Sequence, residues 1–185
     1  MGKVSSSREQ ARRARGAEVA AVARQLEAMG RLGLTREFMQ HGSVSVYAHV
    51  CAVARASLGL ADALEHIGVS CDRASLVRGA LLHDYFLYDW HVPGPENRHH
   101  AVCHPFVALA NAEEDFELSA RERTIISRHM FPLVILPPTC REAWLVCIAD
   151  KWCALRETLF ARRAHAGQAC SGAADVAGAA PGGGR

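Results

Sequence analysis

The chain has 185 residues, 50% of them hydrophobic and 6% aromatic, with a formal net charge of +2 at pH 7. That length suits one domain with a sizeable core and leaves little for a second. The small charge gives no argument for a nucleic-acid polymer or a membrane surface as partner, no apolar run approaches the roughly 18 residues of a membrane span, and the N-terminus lacks a signal-peptide core.

Residues 8–29 read as an exposed, basic amphipathic helix ending at Gly30. Its arginines Arg12, Arg13 and Arg15 have no aromatic residues between them, so a solvated helix face is the expected reading rather than a binding patch. A loop through Gly42 leads to a helix from about Ser45 to His66, where Val46, Val50, Val53, Leu60 and Leu64 keep a 3.6-residue period. His49 falls on that inward face. Asp72 is a candidate N-cap for a helix running to about Asp84. A loop from Phe86 to Arg98, with Pro93-Gly94-Pro95, precedes a helix expected to begin near His104-Pro105 and end near Phe116.

Ser119 and Glu122 have capping-box spacing for a helix ending near Met130. Pro132, Pro137 and Pro138 keep the next segment irregular. Thr139 and Glu142 repeat the capping-box spacing and open a helix to about Arg163, with Ala143, Val146, Cys147, Asp150 and Ala154 turned inward. The expectation is an all-α bundle of about six helices: residues 1–38 a helix and linker, 39–163 the main domain, 164–185 a disordered tail. Seven cysteines (51, 71, 103, 140, 147, 153 and 170) contain no CxxC pair and read as reduced thiols of a cytoplasmic protein.

Asp84 needs explaining first. It follows two leucines in the apolar run GALLHDYF, and burying its carboxylate costs several kcal/mol unless it is paired or bound to a cation. One histidine on an apolar face is usually a hydrogen-bonded core residue. A small core has no reason to collect His49, His83, Asp84, His104, His129 and Asp150 together. The set therefore predicts a metal site. Mixed imidazole and carboxylate ligands suit Fe, Mn, Zn or Co without choosing among them.

The order His…His-Asp…His…His…Asp, with LLHD and a downstream IAD (Ile148, Ala149, Asp150), resembles the HD-domain superfamily of metal-dependent phosphohydrolases over roughly Met39 to Arg156. The resemblance implies an HD-type helical bundle in which His49, His83, Asp84 and Asp150 hold one metal. It also implies that His104 and His129 add a second, with Asp84 bridging. Two ions about 3.5–4 Å apart can bind a hydroxide and clamp a phosphoryl group. The implied activity is a phosphomonoesterase, phosphodiesterase or pyrophosphohydrolase acting on a small phosphorylated molecule, with a nucleotide the first expectation. The cyclic-di-GMP branch is disfavoured, because Ser45 and Met130 stand where it carries an extra Glu and His. The HDY and ADK words are similar to hydrolases of dinucleoside tetraphosphates. The inositol and phosphonate oxygenases share the fold and the ligand set as an alternative di-iron class, although Leu87 replaces the inositol enzyme's substrate lysine. A non-catalytic regulatory module with a structural metal is the third reading.

Beside these ligands, Lys151 is either a surface lysine or a catalytic, phosphate-binding cation. Arg78 is a snorkelling arginine, a buried partner for a carboxylate, or a substrate contact. His99 and His100 either lie solvated in their loop or touch substrate. Trp90 sits where a lid could cover a base. Oligomeric state has no signature in the sequence.

Overall fold

The computed structural model describes residues 2–94, 97 and 99–176, and is built on six α-helices. Helix α1 spans Gly2–Met29, followed by a 3-10 turn at Leu32–Arg36 and a short antiparallel hairpin of β1 (Met39–His41) and β2 (Val44–Ser45). Gly42 turns that hairpin at φ +59°, a conformation L side chains resist. Helices α2 (Val46–Glu65), α3 (Arg73–Leu82), α4 (His100–Asp115), α5 (Ala120–Arg128) and α6 (Arg141–Val176) complete the bundle. None of these helices is long and apolar enough to cross a membrane.

Helix α2 is the central element. Ser45 caps it by accepting from the Ala48 N–H at 3.2 Å, and its buried Val46, Val50, Val53, Ala54, Leu58 and Ala61 pack against α3 and α6. Helix α1 joins the same core through Val19, Ala23 and Leu26, spaced at one helical turn. The buried residues of α1 and those of the later helices, from Val19 to Cys153, thus belong to one hydrophobic core.

Several boundaries and one cap differ from the sequence expectation, beginning with α1, which starts at Gly2 and not at residue 8. Helix α4 starts at His100, four residues early, with Pro105 inside it. The proline removes only the donor to the Ala101 carbonyl, and Ala101 is exposed, so water can replace the lost bond. Glu142 forms no capping box with Thr139. It accepts instead from the Asp72 backbone N–H at 2.8 Å and faces the Arg121 guanidinium at 3.1 Å, tying α6 to the starts of α3 and α5. The backbone of α6 continues past Arg163 to Val176, through alanines with the best intrinsic helix propensity. Residues 177–185, in the expected tail, lie outside the described residues.

The other caps follow the sequence. Asp72 accepts from the Ser75 N–H at 3.1 Å, and Ser119 with Glu122 forms the reciprocal capping box on α5. Asp115, at the end of α4, accepts from Arg31 Nε at 2.8 Å and from the Tyr85 hydroxyl at 2.6 Å. Burial would raise the Asp115 carboxyl, but the Arg31 and Tyr85 donors hold it below its usual range. This network pins the residue after Asp84 to the ends of α1 and α4.

Helices α3 and α5 approach closely at Gly79, where an added Cβ would lie 2.6 Å from Ile125 Cδ1 and 2.9 Å from Ile125 Cβ. The second contact is fixed to the α5 backbone, so rotating the isoleucine cannot relieve it. Overpacking typically costs about 1–3 kcal/mol, against a helix-propensity gain of about 1 kcal/mol for replacing glycine. Gly79→Ala should lower stability by about 1 kcal/mol, the middle of that balance, in denaturant unfolding. A variant as stable as the parent would show that α3 and α5 separate without penalty.

Candidate metal centre

All six residues singled out in the sequence meet at one point. His49 comes from α2, His83 and Asp84 from the end of α3, His104 from α4, His129 from the end of α5 and Asp150 from α6. Every one is buried, and His49 and His83 are fully so.

The geometry divides around Asp84. Its Oδ2 lies 3.4 Å from His83 Nε2 and 3.8 Å from His49 Nε2, while its Oδ1 lies 3.2 Å from His104 Nε2 and 3.4 Å from His129 Nε2. Asp150 Oδ1 closes the first group, 3.1 Å from His49 Nε2 and 3.7 Å from His83 Nε2.

The other nitrogen of each ring explains this orientation. His83 Nδ1 lies 2.8 Å from the Ala80 carbonyl, His129 Nδ1 2.8 Å from the Ile126 carbonyl and His104 Nδ1 2.9 Å from the His100 carbonyl. His49 Nδ1 lies 2.9 Å from Glu157 Oε2. An acceptor at each Nδ1 places an N–H there and turns Nε2 into the cluster, as a lone pair wherever the ring is neutral; His49 also carries a proton on Nε2.

Those lone pairs suit a cation. His104 Nε2 and His129 Nε2 stand 2.9 Å apart, two acceptors facing each other. His83 Nε2 and Asp84 Oδ1 are buried without a hydrogen-bond partner. An unsatisfied buried polar group costs about 1–3 kcal/mol, and a divalent cation among these atoms would satisfy several at once. Three overlapping triads have ligand atoms within 4.8 Å of one another: His49/His83/Asp84, His83/His129/Asp150 and Asp84/His104/His129.

Charge follows the same logic. Burial disfavours ionised Asp84 and Asp150, but the surrounding imidazoles prevail and hold both carboxyls well below the usual range. Burial would push His49 down, yet its hydrogen bonds with Asp150 and Glu157 raise it to about 10. His83 is raised by Asp84 and Asp150 against its own burial, and burial leaves His129 lowered.

A cavity of about 660 Å³ opens onto Asp84, His104, His129 and Asp150 but not onto His49 or His83. Access is therefore from the α4–α5 side. Trp90, Ala101, Met130, Pro132, Leu133 and Ala154 form its apolar wall.

Of the expected substrate contacts, Lys151 lines the cavity. Its ammonium donates to the His129 carbonyl at 2.7 Å and lies 3.9 Å from Asp150 Oδ2. Arg78 does not line it: the guanidinium pairs with buried Glu122 at 2.9 Å and donates to the Glu117 carbonyl at 3.2 Å, because its helix face points to α5. His99 is exposed just before α4 and away from the cavity. His100 lines the cavity, stacked between Trp90 and His104. Burial pushes His100 down to about 4, so at neutral pH it offers no cation.

Two residues escaped the sequence reading. Gln40, on β1, donates from Nε2 to Asp84 Oδ2 at 2.7 Å, and Glu157 orients His49. Glu157 was findable, lying seven residues, about two helical turns, after Asp150. Gln40 had no signal, since a short hairpin alone brings it in.

Residues 46–155 match the HD domain family. The chain belongs to that family, the superfamily of metal-dependent phosphohydrolases. No curated protein and no solved structure matches it.

Cation uptake should release protons. His49 uses both ring N–H groups, toward Asp150 and Glu157, and a raised imidazole keeps its proton at neutral pH. A cation at Nε2 must displace that proton, so affinity should rise with pH and fall as the solution is acidified. Titration calorimetry with Mn²⁺ or Zn²⁺, in buffers of different ionisation enthalpy, checks this. Heats independent of the buffer would contradict it.

Proposed function

We propose that the chain is a metal-dependent phosphohydrolase that releases a single phosphoryl group from a ring-bearing molecule of nucleotide size. The observation that carries the reading is four imidazole Nε2 atoms and two ionised carboxylates converging in one cluster, of which Asp84, His104, His129 and Asp150 open onto the cavity. His49, His83, Asp84 and Asp150 would hold one cation; His104, His129 and the second oxygen of Asp84 would hold another. Bound there, divalent cations supply charge for phosphoryl oxygens and acidify water enough to attack phosphorus.

The chain's own residues do the rest. Asp84 stays ionised and faces both halves of the cluster, with Gln40 fixing its Oδ2. Lys151 places an ammonium at the cavity wall, where a charge-assisted bond to a phosphate oxygen is strong. Lys151 is the only lysine or arginine among the described residues that line the cavity. One such cation beside the cluster suits one phosphoryl group better than a polyphosphate.

The walls suit an organic body. Apolar side chains surround it, and Gln40, Asn97 and Trp90 add amide and indole groups to the wall, with Gln40 Oε1, Asn97 Oδ1 and Trp90 Nε1 left without partners. A nucleoside has a planar ring and matching polar edges.

The test is metal analysis of protein purified without oxygen, followed by phosphate release from nucleoside mono-, di- and triphosphates under Mn, Fe, Co and Zn. Monophosphates should be preferred. Two irons per chain, oxygen consumption and no phosphate release under any metal would establish the oxygenase instead.

Two substitutions probe the roles. Asp84→Ala should abolish turnover and lower metal content more than replacement of any single histidine, because only Asp84 faces both halves. Lys151→Ala should raise KM several-fold with metal content retained, and Lys151→Arg should recover part of the loss. Unchanged KM in Lys151→Ala would remove Lys151 from the substrate contacts.

A further inference from the structure

The outward face of α6 carries Trp144, Ile148, Trp152, Leu155 and Leu159, which are 41%, 53%, 57%, 53% and 49% exposed. At about 100° per residue, all five fall within an arc of roughly 80°. Single exposed apolar residues need no explanation. A continuous stripe over four turns, with two indoles in it, marks an interaction surface.

We propose that this stripe is a self-association surface, on which a second copy of the chain packs with its α6 antiparallel to the first. The order of the residues supports this occupant. Trp144 and Leu159 lie equally far on either side of the Lys151–Trp152 peptide bond, and so do Ile148 and Leu155. A two-fold axis beside that bond therefore sets Ile148 against the partner's Leu155 and Trp144 against the partner's Leu159. Each contact occurs twice, as an isologous interface requires. Trp152, beside the axis, is the one member of the stripe without a counterpart at the mirrored position, which Lys151 holds.

The surface also holds a socket. Beside Trp152, an apolar recess of about 340 Å³ opens between α6 and α2, walled by Ala56, Gly59 and Leu60 on the α2 side. Small Ala56 and Gly59 leave room for a large side chain. Trp152 stands next to the axis, so each copy's indole reaches the other's recess. Paired aromatic anchors in sockets are typical of the energetic centre of an interface.

Charge separates this occupant from an acidic partner. Arg12, Arg15, Arg55 and Arg156, with Glu157 among them and Arg15 paired with Asp62 at 2.8 Å, line a net positive groove on the far side of Trp152. In a dimer, both copies bring these like charges to the same side of the seam. Salt screens that repulsion, so self-association should hold or tighten as salt is added. An acidic peptide held by the arginines would weaken instead.

The test is sedimentation equilibrium of the full chain at micromolar concentration, with circular dichroism and metal uptake as controls for folding. The parent should approach twice its 20.0 kDa mass and stay there in high salt. Ile148→Glu or Trp152→Glu should weaken association at least tenfold while both controls remain normal. Combining Ile148→Glu with Leu155→Lys should restore the dimer, because the two positions face each other across the axis. A parent that stays monomeric at every concentration overturns the proposal, as does a dimer indifferent to both single substitutions. Failure of the double variant to recover overturns the antiparallel register. A monomer that binds an acidic helical peptide, with affinity lost on Arg55→Ala, assigns the face to another partner.

Discussion

The burial of the Asp84 carboxylate is the constraint on which the rest depends. A lone ionised carboxylate taken out of water would cost many kcal/mol, and in practice would protonate. Asp84 remains ionised because four imidazoles surround it, each supplied by a different element or helix end. The bundle therefore has to bring α2, α3, α4 and α5 to one point, with α6 adding Asp150. The close approach at Gly79 and the Arg31–Asp115–Tyr85 network both act at that convergence.

Helix ends do much of the positioning. The last carbonyls of a helix have no intrahelical donor. His83 and His129 sit at the C-caps of α3 and α5, and each turns Nδ1 back to the carbonyl three residues earlier. One bond thus satisfies an orphan acceptor, fixes the tautomer and aims Nε2 off the end of the helix. His104 uses the carbonyl four residues back within α4, and His49, in mid-helix, borrows the carboxylate of Glu157 from α6. Different local solutions give the same outcome, an Nε2 facing the centre.

The cluster is asymmetric in its access to solvent. His49 and His83 form a closed back wall, whereas His104 and His129 lie at the floor of the cavity. An ion held at the back would be the more protected, and a ligand would meet the front first. Among the described residues, the cavity is lined by one lysine, whereas the groove beside α1 is lined by several arginines.

The ligands were legible in the sequence because chemistry forces them to stand out: an aspartate after two leucines, and histidines on the inward period of helices. The six helices were legible from the 3.6-residue period and from Ser45, Asp72 and the Ser119–Glu122 box, which act within a few residues of themselves. Tertiary structure alone decided what depends on neighbours distant in the chain. It turned Glu142 from a local cap to Asp72 and Arg121, and gave Arg78 to Glu122 instead of the cavity. It brought Gln40 onto Asp84 across 44 residues, and set Trp152 of α6 beside the arginines of α1, where the sequence shows no aromatic. Local hydrogen bonds and burial period are written in adjacent residues. Which carboxylate a guanidinium meets, and what an amide on a hairpin touches, is fixed only when the helices pack.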